Sequence, residues 1–159
     1  MLTRFILFAF LAHTAISAHA QAAVIANPAH ADMLRSADPR LAANKKLVYD
    51  FWREVLEARH VELAEKYVAA DYVQHNPNIA TGRQAMVDFF AGKPPKEIAP
   101  AVVRPLVAIS AEGDLVTLAF VQQGTDPRDP ARKYTTTWFD MFRVANGQIV
   151  EHWDSAIKN

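Results

Sequence analysis

Asp140, His152 and Asp154 stand among Trp138, Phe139, Met141, Phe142 and Trp153 near the C-terminus. Carboxylates in such company are costly to desolvate, so their presence points to a polar-lined pocket. Burial beside a second carboxylate raises an aspartate's pKa towards working pH, and a histidine between two aspartates can hold or relay a proton. The trio therefore suits general acid–base chemistry. His75, in Gln74-His75-Asn76-Pro77, could hydrogen-bond a substrate oxygen. Purely structural roles are also open: His152 as a bridge between the aspartates, and His75 as a tie within its own turn. His75, Asp140, His152 and Asp154 offer nitrogen and oxygen ligands. A His-x-Asp spacing lacks the specificity of a helical His-Glu-x-x-His, so no metal and no cofactor are assigned.

Whether these groups converge depends on a hairpin. Asn146-Gly147 separates two runs rich in β-branched and aromatic residues, which is a strong hairpin signal. A two-residue turn would set Ala145 opposite Gln148 and put Asp140 and Asp154 on opposite faces. A three-residue turn with a glycine bulge at Gly147 would set Val144 opposite Gln148 and Asp140 opposite His152. We favour the second, because it gathers Trp138, Asp140, His152 and Asp154 on one face, where each offsets the others' burial cost.

The elements that must carry this hairpin are legible upstream. Asp38-Pro39 starts a helix whose apolar stripe is Leu41, Val48, Phe51, Trp52 and Val55. A second, at about 61–68, buries Leu63, Ala64, Tyr67 and Val68. A third begins at Thr81-Gly82 and buries Ala85, Met86, Phe89 and Phe90. Residues 71–78 form a short extended piece ending in a turn at Asn76-Pro77. Strands follow at about 101–110, 115–123, 134–144 and 148–156, and the stretch from Gly124 to Arg132 reads as too long and charged for a tight hairpin. Helices followed by antiparallel strands predict an α+β domain with helices on one face of a curved sheet. Phe139, Met141 and Trp153 on the other face call for a second subunit.

The first twenty residues read as a signal peptide, with Arg4 in the basic region, an apolar run from Phe5 to Ile16 and Ala18-His19-Ala20 as the cleavage site. This predicts a periplasmic or secreted protein with no membrane attachment after cleavage. Residues 21–37 read as a flexible lead-in. The whole chain balances 17 basic against 17 acidic residues, which gives no footing for nucleic acid. With no cysteine there are no disulfides, thiol nucleophiles or thiolate-held metals. No nucleophile elbow or glycine-rich phosphate loop is present.

The order helix-helix-strand-helix-sheet, with Tyr72-Val-Gln-His-Asn-Pro77, Gly82 and the run from Asp140 to Asp154, resembles the SnoaL-like polyketide cyclase family of the nuclear-transport-factor-2-like superfamily. The likeness runs from about Ala43 to Ala156, so residues 38–159 are read as a SnoaL-like domain. It implies a cone-shaped α+β barrel with a pocket between helices and a curved, mostly antiparallel sheet, a homodimer through the sheet's other face, and metal-free aldol chemistry. In the cyclases an aspartate near the end of the last strand acts as acid and base, and Asp154 matches it. A histidine across the hairpin supports that aspartate, but here the position holds Asp140. A protonated carboxyl can donate to a developing enolate, and an ionised one cannot. Asp154, Asp140, His152 and His75 are the expected catalytic groups, with Tyr72, Phe90 and Trp138 against the substrate. The expected activity is cofactor-free proton transfer next to a carbonyl in a small apolar ligand, giving aldol-type cyclisation, isomerisation or lyase chemistry. The alternative is a non-catalytic protein that binds a hydrophobic small molecule.

Overall fold

The computed structural model describes residues 21–158, so the expected signal peptide lies outside the described residues. Asp38 caps helix α2 (Pro39–Phe51) as expected, its carboxylate accepting the Arg40 N–H at 2.8 Å. The helix then widens into a π-helical segment, Trp52–Glu57, in which the Ala58 N–H bonds back to the Arg53 carbonyl. This widening is a feature that periodicity did not announce. It brings Phe51, Trp52, Leu56 and Glu57 to one cavity wall, and π-segments often serve functional sites in this way. The second expected helix is a 3-10 turn, Val61–Leu63, running into α3 (Ala64–Tyr67). Helix α4 (Arg83–Phe90) starts after Gly82, whose φ of 104° favours glycine. Met86 is buried there, whereas Phe89 is exposed, contrary to the expected stripe.

The extended piece is longer than expected. Strand β1 (Val68–Gln74) pairs in parallel with the last strand, β5 (Gln148–Asp154). With β2 (Leu106–Glu112), β3 (Leu115–Asp126) and β4 (Asp129–Ala145) the order is β1-β5-β4-β3-β2, a curved, mostly antiparallel sheet whose edges are β1 and β2. The stretch from Gly124 to Arg132 holds a tight turn after all, with Asp126 paired to Asp129 across Pro127 and Arg128, but three extra residues, Pro130 to Arg132, bulge out before Lys133 pairs with Thr125. The Asp126 carboxylate accepts the Arg128 N–H, so turn chemistry overrides the charge density that had argued for a loop.

Val48, Phe51 and Val55 from the helical layer meet Leu106, Leu118, Phe120, Phe142 and Ile149 from the sheet, forming a core that closes one side of the cavity. Ahead of α2, helix α1 (His30–Met33) follows a segment bonded to the sheet through the Asn27 N–H to the Leu106 carbonyl and the Val24 N–H to Thr135 Oγ1. No described helix is long and apolar enough to cross a membrane.

Candidate active site

The hairpin register differs from the favoured reading. Asn146 and Gly147 both have positive φ (52° and 75°) and form a two-residue turn, with Ala145 opposite Gln148 and Val144 opposite Ile149. The register then shifts: Arg143 faces Glu151, Phe142 faces His152 and Asp140 faces Asp154, leaving Val150 as a bulge. Asp140 and His152 are therefore diagonal rather than directly opposite. The physical reason is burial. Ile149 and His152 are both buried yet three residues apart, which a regular strand cannot place on one face. One bulge reconciles them, and Asp140, His152 and Asp154 still share the inner face.

Hydrogen bonds fix the protons around His152. The Gln74 side-chain carbonyl accepts the Asn76 backbone N–H at 2.9 Å, so the facing His152 Nδ1, at 2.8 Å, must be a donor. His152 Nε2 lies 2.9 Å from Asp140 Oδ1, while Asp140 Oδ2 accepts the Trp138 indole N–H at 2.8 Å. A contact between Nε2 and Oδ1 at that distance requires one proton between them, on nitrogen or on oxygen. The pair is a one-proton reservoir, neutral overall in either form. Burial pushes the Asp140 carboxyl above its usual range, the His152 contact pulls it back, and the Asp154 charge pushes it up again.

Asp154 is the acceptor beside this reservoir. Its Oδ2 accepts the Asn76 side-chain amide at 2.6 Å and its Oδ1 the Ala156 N–H at 2.9 Å. The buried Tyr72 hydroxyl accepts from Gln74 Nε2 at 2.9 Å, and its own hydrogen has no acceptor among the described residues. Burial above all, then the charges of Asp154 and Asp140, push that hydroxyl far above its usual pKa, so it stays protonated and can donate.

These groups close the polar end of a cavity of about 250 Å³, walled by Phe51, Trp52, Met86, Phe90, Trp138 and Phe142. Tyr72, Phe90 and Trp138 all line this cavity. His75 does not. It is on the opposite face of the sheet, stacked on Trp153 with ring centroids 5.0 Å apart and bonded to Glu151 at 2.8 Å. Alternation along β1 explains this: Tyr72 points inward, so Gln74 does too and His75 points out. Gln74 and Asn76, which orient His152 and Asp154, were missed, although the inward aromatic at Tyr72 carried the signal. Arg104 and Glu57, also at the cavity, had no such marker.

Asp140, His152 and Asp154 each offer a ligand atom, all within 4.8 Å of one another, a spacing that could hold a divalent ion. The donor set fits such an ion only partly. It would have to displace the proton shared by Asp140 and His152, and His75, a ligand in the four-residue set, faces away.

The raised carboxyl has a testable consequence. Between the unfolded value of Asp140, near 3.8, and its higher folded value, the folded chain binds more protons, so this residue's contribution makes stability fall as pH rises through that window. Asp140→Asn removes the titration, and its amide can still satisfy Trp138 and His152. Denaturant midpoints measured at about pH 4 to 8 are expected to show the variant gaining on wild type as pH rises. Parallel pH profiles for the two proteins would contradict this.

Comparison with known proteins places the chain. Residues 48–152 match the model of the SnoaL-like domain, about two-thirds of the chain, and the protein belongs to that family. Among solved structures, a candidate SnoaL-like polyketide cyclase from Jannaschia sp. CCS1 is similar at 14% identity and a TM-score of 0.50, over 76% of this chain and 91% of that one. A candidate polyketide cyclase from Acidithiobacillus ferrooxidans is similar at 16% identity and a TM-score of 0.49, over 70% and 86%. IdmH, a candidate polyketide cyclase from Streptomyces antibioticus, is similar at 22% identity and a TM-score of 0.47, over 70% and 89%. Identities this low speak to fold alone, and the first of the three agrees with the α+β architecture described above. A comparison with curated proteins returns no match.

Proposed function

We propose that this protein is an exported, cofactor-free enzyme of cyclase or isomerase type that moves a proton next to a carbonyl in a small, largely apolar substrate. Family membership supports the general class. The observation that carries the specific reading is the 2.9 Å contact of His152 Nε2 with Asp140 Oδ1 beside the Asp154 carboxylate at the polar end of an apolar cavity. Asp154 takes the proton from carbon, the Tyr72 hydroxyl donates to the developing enolate oxygen, and the Asp140–His152 pair delivers or receives the second proton. When the pair gives up its proton it becomes an anion, but Asp154 has by then been neutralised by the proton from carbon, so the net charge of the site does not change. His75 has no place in this scheme.

A binding protein with the same cavity is the competing reading. Screening a panel of small carbonyl compounds for consumption separates the two: an enzyme converts at least one ligand that binds, whereas saturable binding across the panel with no conversion contradicts the proposal.

The homodimer belongs to the same proposal. Phe139 is 50% exposed beside Met141 and Trp153 on the outer sheet face, and a second copy would cover them. Light scattering at micromolar concentration is expected to return twice the chain mass, and a monomer mass would contradict it.

A further inference from the structure

Arg104 lines the cavity, yet no catalytic step above uses it. Its guanidinium lies against three aromatic rings, 4.9 Å from the Phe120 centroid, 5.5 Å from Trp138 and 5.8 Å from Trp52. Of its five N–H donors, one is used among the described residues, by Nη2 to Gln122 Oε1 at 2.9 Å. Among the described residues no carboxylate forms an ion pair with it. Glu57 is near but committed elsewhere, accepting the Trp52 indole N–H and the backbone N–H groups of Val103 and Arg104 itself. The rings fix the plane of the guanidinium and keep water from part of it, but they supply no formal negative charge.

The outer cleft beside it has the same sign, whereas inside the cavity the charge of Asp140 opposes it without an ion pair. Arg104, Leu56 and Glu57 are shared between the cavity and an outer cleft, so the guanidinium sits at their junction. That cleft carries Arg53, Arg59, Lys96 and Arg104 against Glu57 and Glu97, an excess of positive charge that favours approach of an anion. Arg53 is neutralised by Asp50 and Glu54, whereas the Arg59 and Lys96 side chains have no acidic partner among the described residues.

We propose that Arg104 is the anion-binding residue of this cavity and that the substrate is a carbonyl compound bearing a carboxylate, which the guanidinium holds while the reacting carbon faces Asp154. Only the placement of the reacting carbon rests on the proton-transfer reading. An oriented, stacked guanidinium suits a carboxylate because its parallel N–H groups match the two oxygens, which a lysine would not do. The substrate's charge is then compensated among the aromatic walls, and the bound acid is fixed at one end.

The test is an equilibrium measurement that needs no turnover. Hydrocinnamate and the uncharged, nearly isosteric hydrocinnamamide are titrated calorimetrically into the mature chain at neutral pH. The carboxylate is expected to bind at least about tenfold more tightly than the amide. In Arg104→Gln that preference disappears while the amide's affinity is retained, which also reports an intact cavity, and in Arg104→Lys it is partly restored. Equal affinity of the two probes for wild type, binding of neither up to millimolar concentration, or a preference that survives in Arg104→Gln would overturn the assignment. A chain that binds carboxylates through Arg104 but turns nothing over would overturn only the proton-transfer reading. A catalyst that shows no carboxylate preference would overturn only this one.

Discussion

Asp154→Asn is expected to lower turnover by about 10²- to 10⁴-fold while leaving fold and ligand affinity largely intact. The amide has the same size and can still accept the Ala156 N–H that now reaches Oδ1, losing only the Asn76 amide contact at the other position, but it cannot take a proton from carbon. Asp140→Asn is expected to cost less, since it removes one partner of the proton reservoir and leaves the base in place. It also relieves repulsion between two carboxylates paired across the hairpin. Steady-state rates of both variants on one confirmed substrate check the ordering. If Asp154→Asn keeps near-normal rates while Asp140→Asn is inactive, the base is Asp140 and the roles are reversed.

The second large effect is on stability. His152→Leu removes the partner of Asp140 Oδ1 and, among the described residues, leaves a carboxyl on a residue that is 3% exposed with only the Trp138 indole. Breaking one side of a buried pair costs about 3–5 kcal/mol near neutral pH. It also leaves the Gln74 carbonyl without the His152 donor and replaces the stacking of His152 on Phe142, whose ring centroids are 4.6 Å apart. Replacing Asp140 and His152 together by leucine is expected to recover most of that loss, because the desolvated polar atoms go as a set. Urea unfolding of the two single variants and the double variant closes the cycle. Purely additive losses would show that the two side chains are not coupled.

The two-residue turn and the shared inner face both follow from residue types: Asn146-Gly147 supplies positive φ, and three polar groups are cheaper to bury together than apart. The bulge at Val150 was harder to see. A two-residue turn, read without it, separates Asp140 from Asp154, and a three-residue turn is the local pattern's way to reunite them. The chain makes the same repair within β5 instead. Local pattern cannot locate a bulge whose cause is tertiary, here the need to bury both Ile149 and His152.

The same limit explains His75. A histidine draws attention by its chemistry, but its direction is set by the alternation of β1, and β1 becomes a sheet strand only by pairing in parallel with β5, far away in sequence. Once Tyr72 is known to be inward, Gln74 and His75 are assigned. The widening of the helix at Trp52–Glu57 and the placement of Arg104 depend on contacts between distant segments, such as the Arg104 and Val103 N–H groups on Glu57, and no short-range pattern encodes them. Capping at Asp38, the start at Gly82 and the helix-then-sheet order were legible because each rests on neighbouring residues.

The most direct test of the proton-transfer account follows the proton itself. Benzylacetone, a small ketone of suitable size, is incubated with the protein in deuterium oxide, and loss of the signals of the protons next to its carbonyl is followed by proton NMR. Wild type is expected to accelerate the exchange, and Asp154→Asn to slow it by roughly a hundredfold or more. Saturable binding of the ketone with exchange no faster than in buffer, or equal exchange by wild type and Asp154→Asn, would contradict the account.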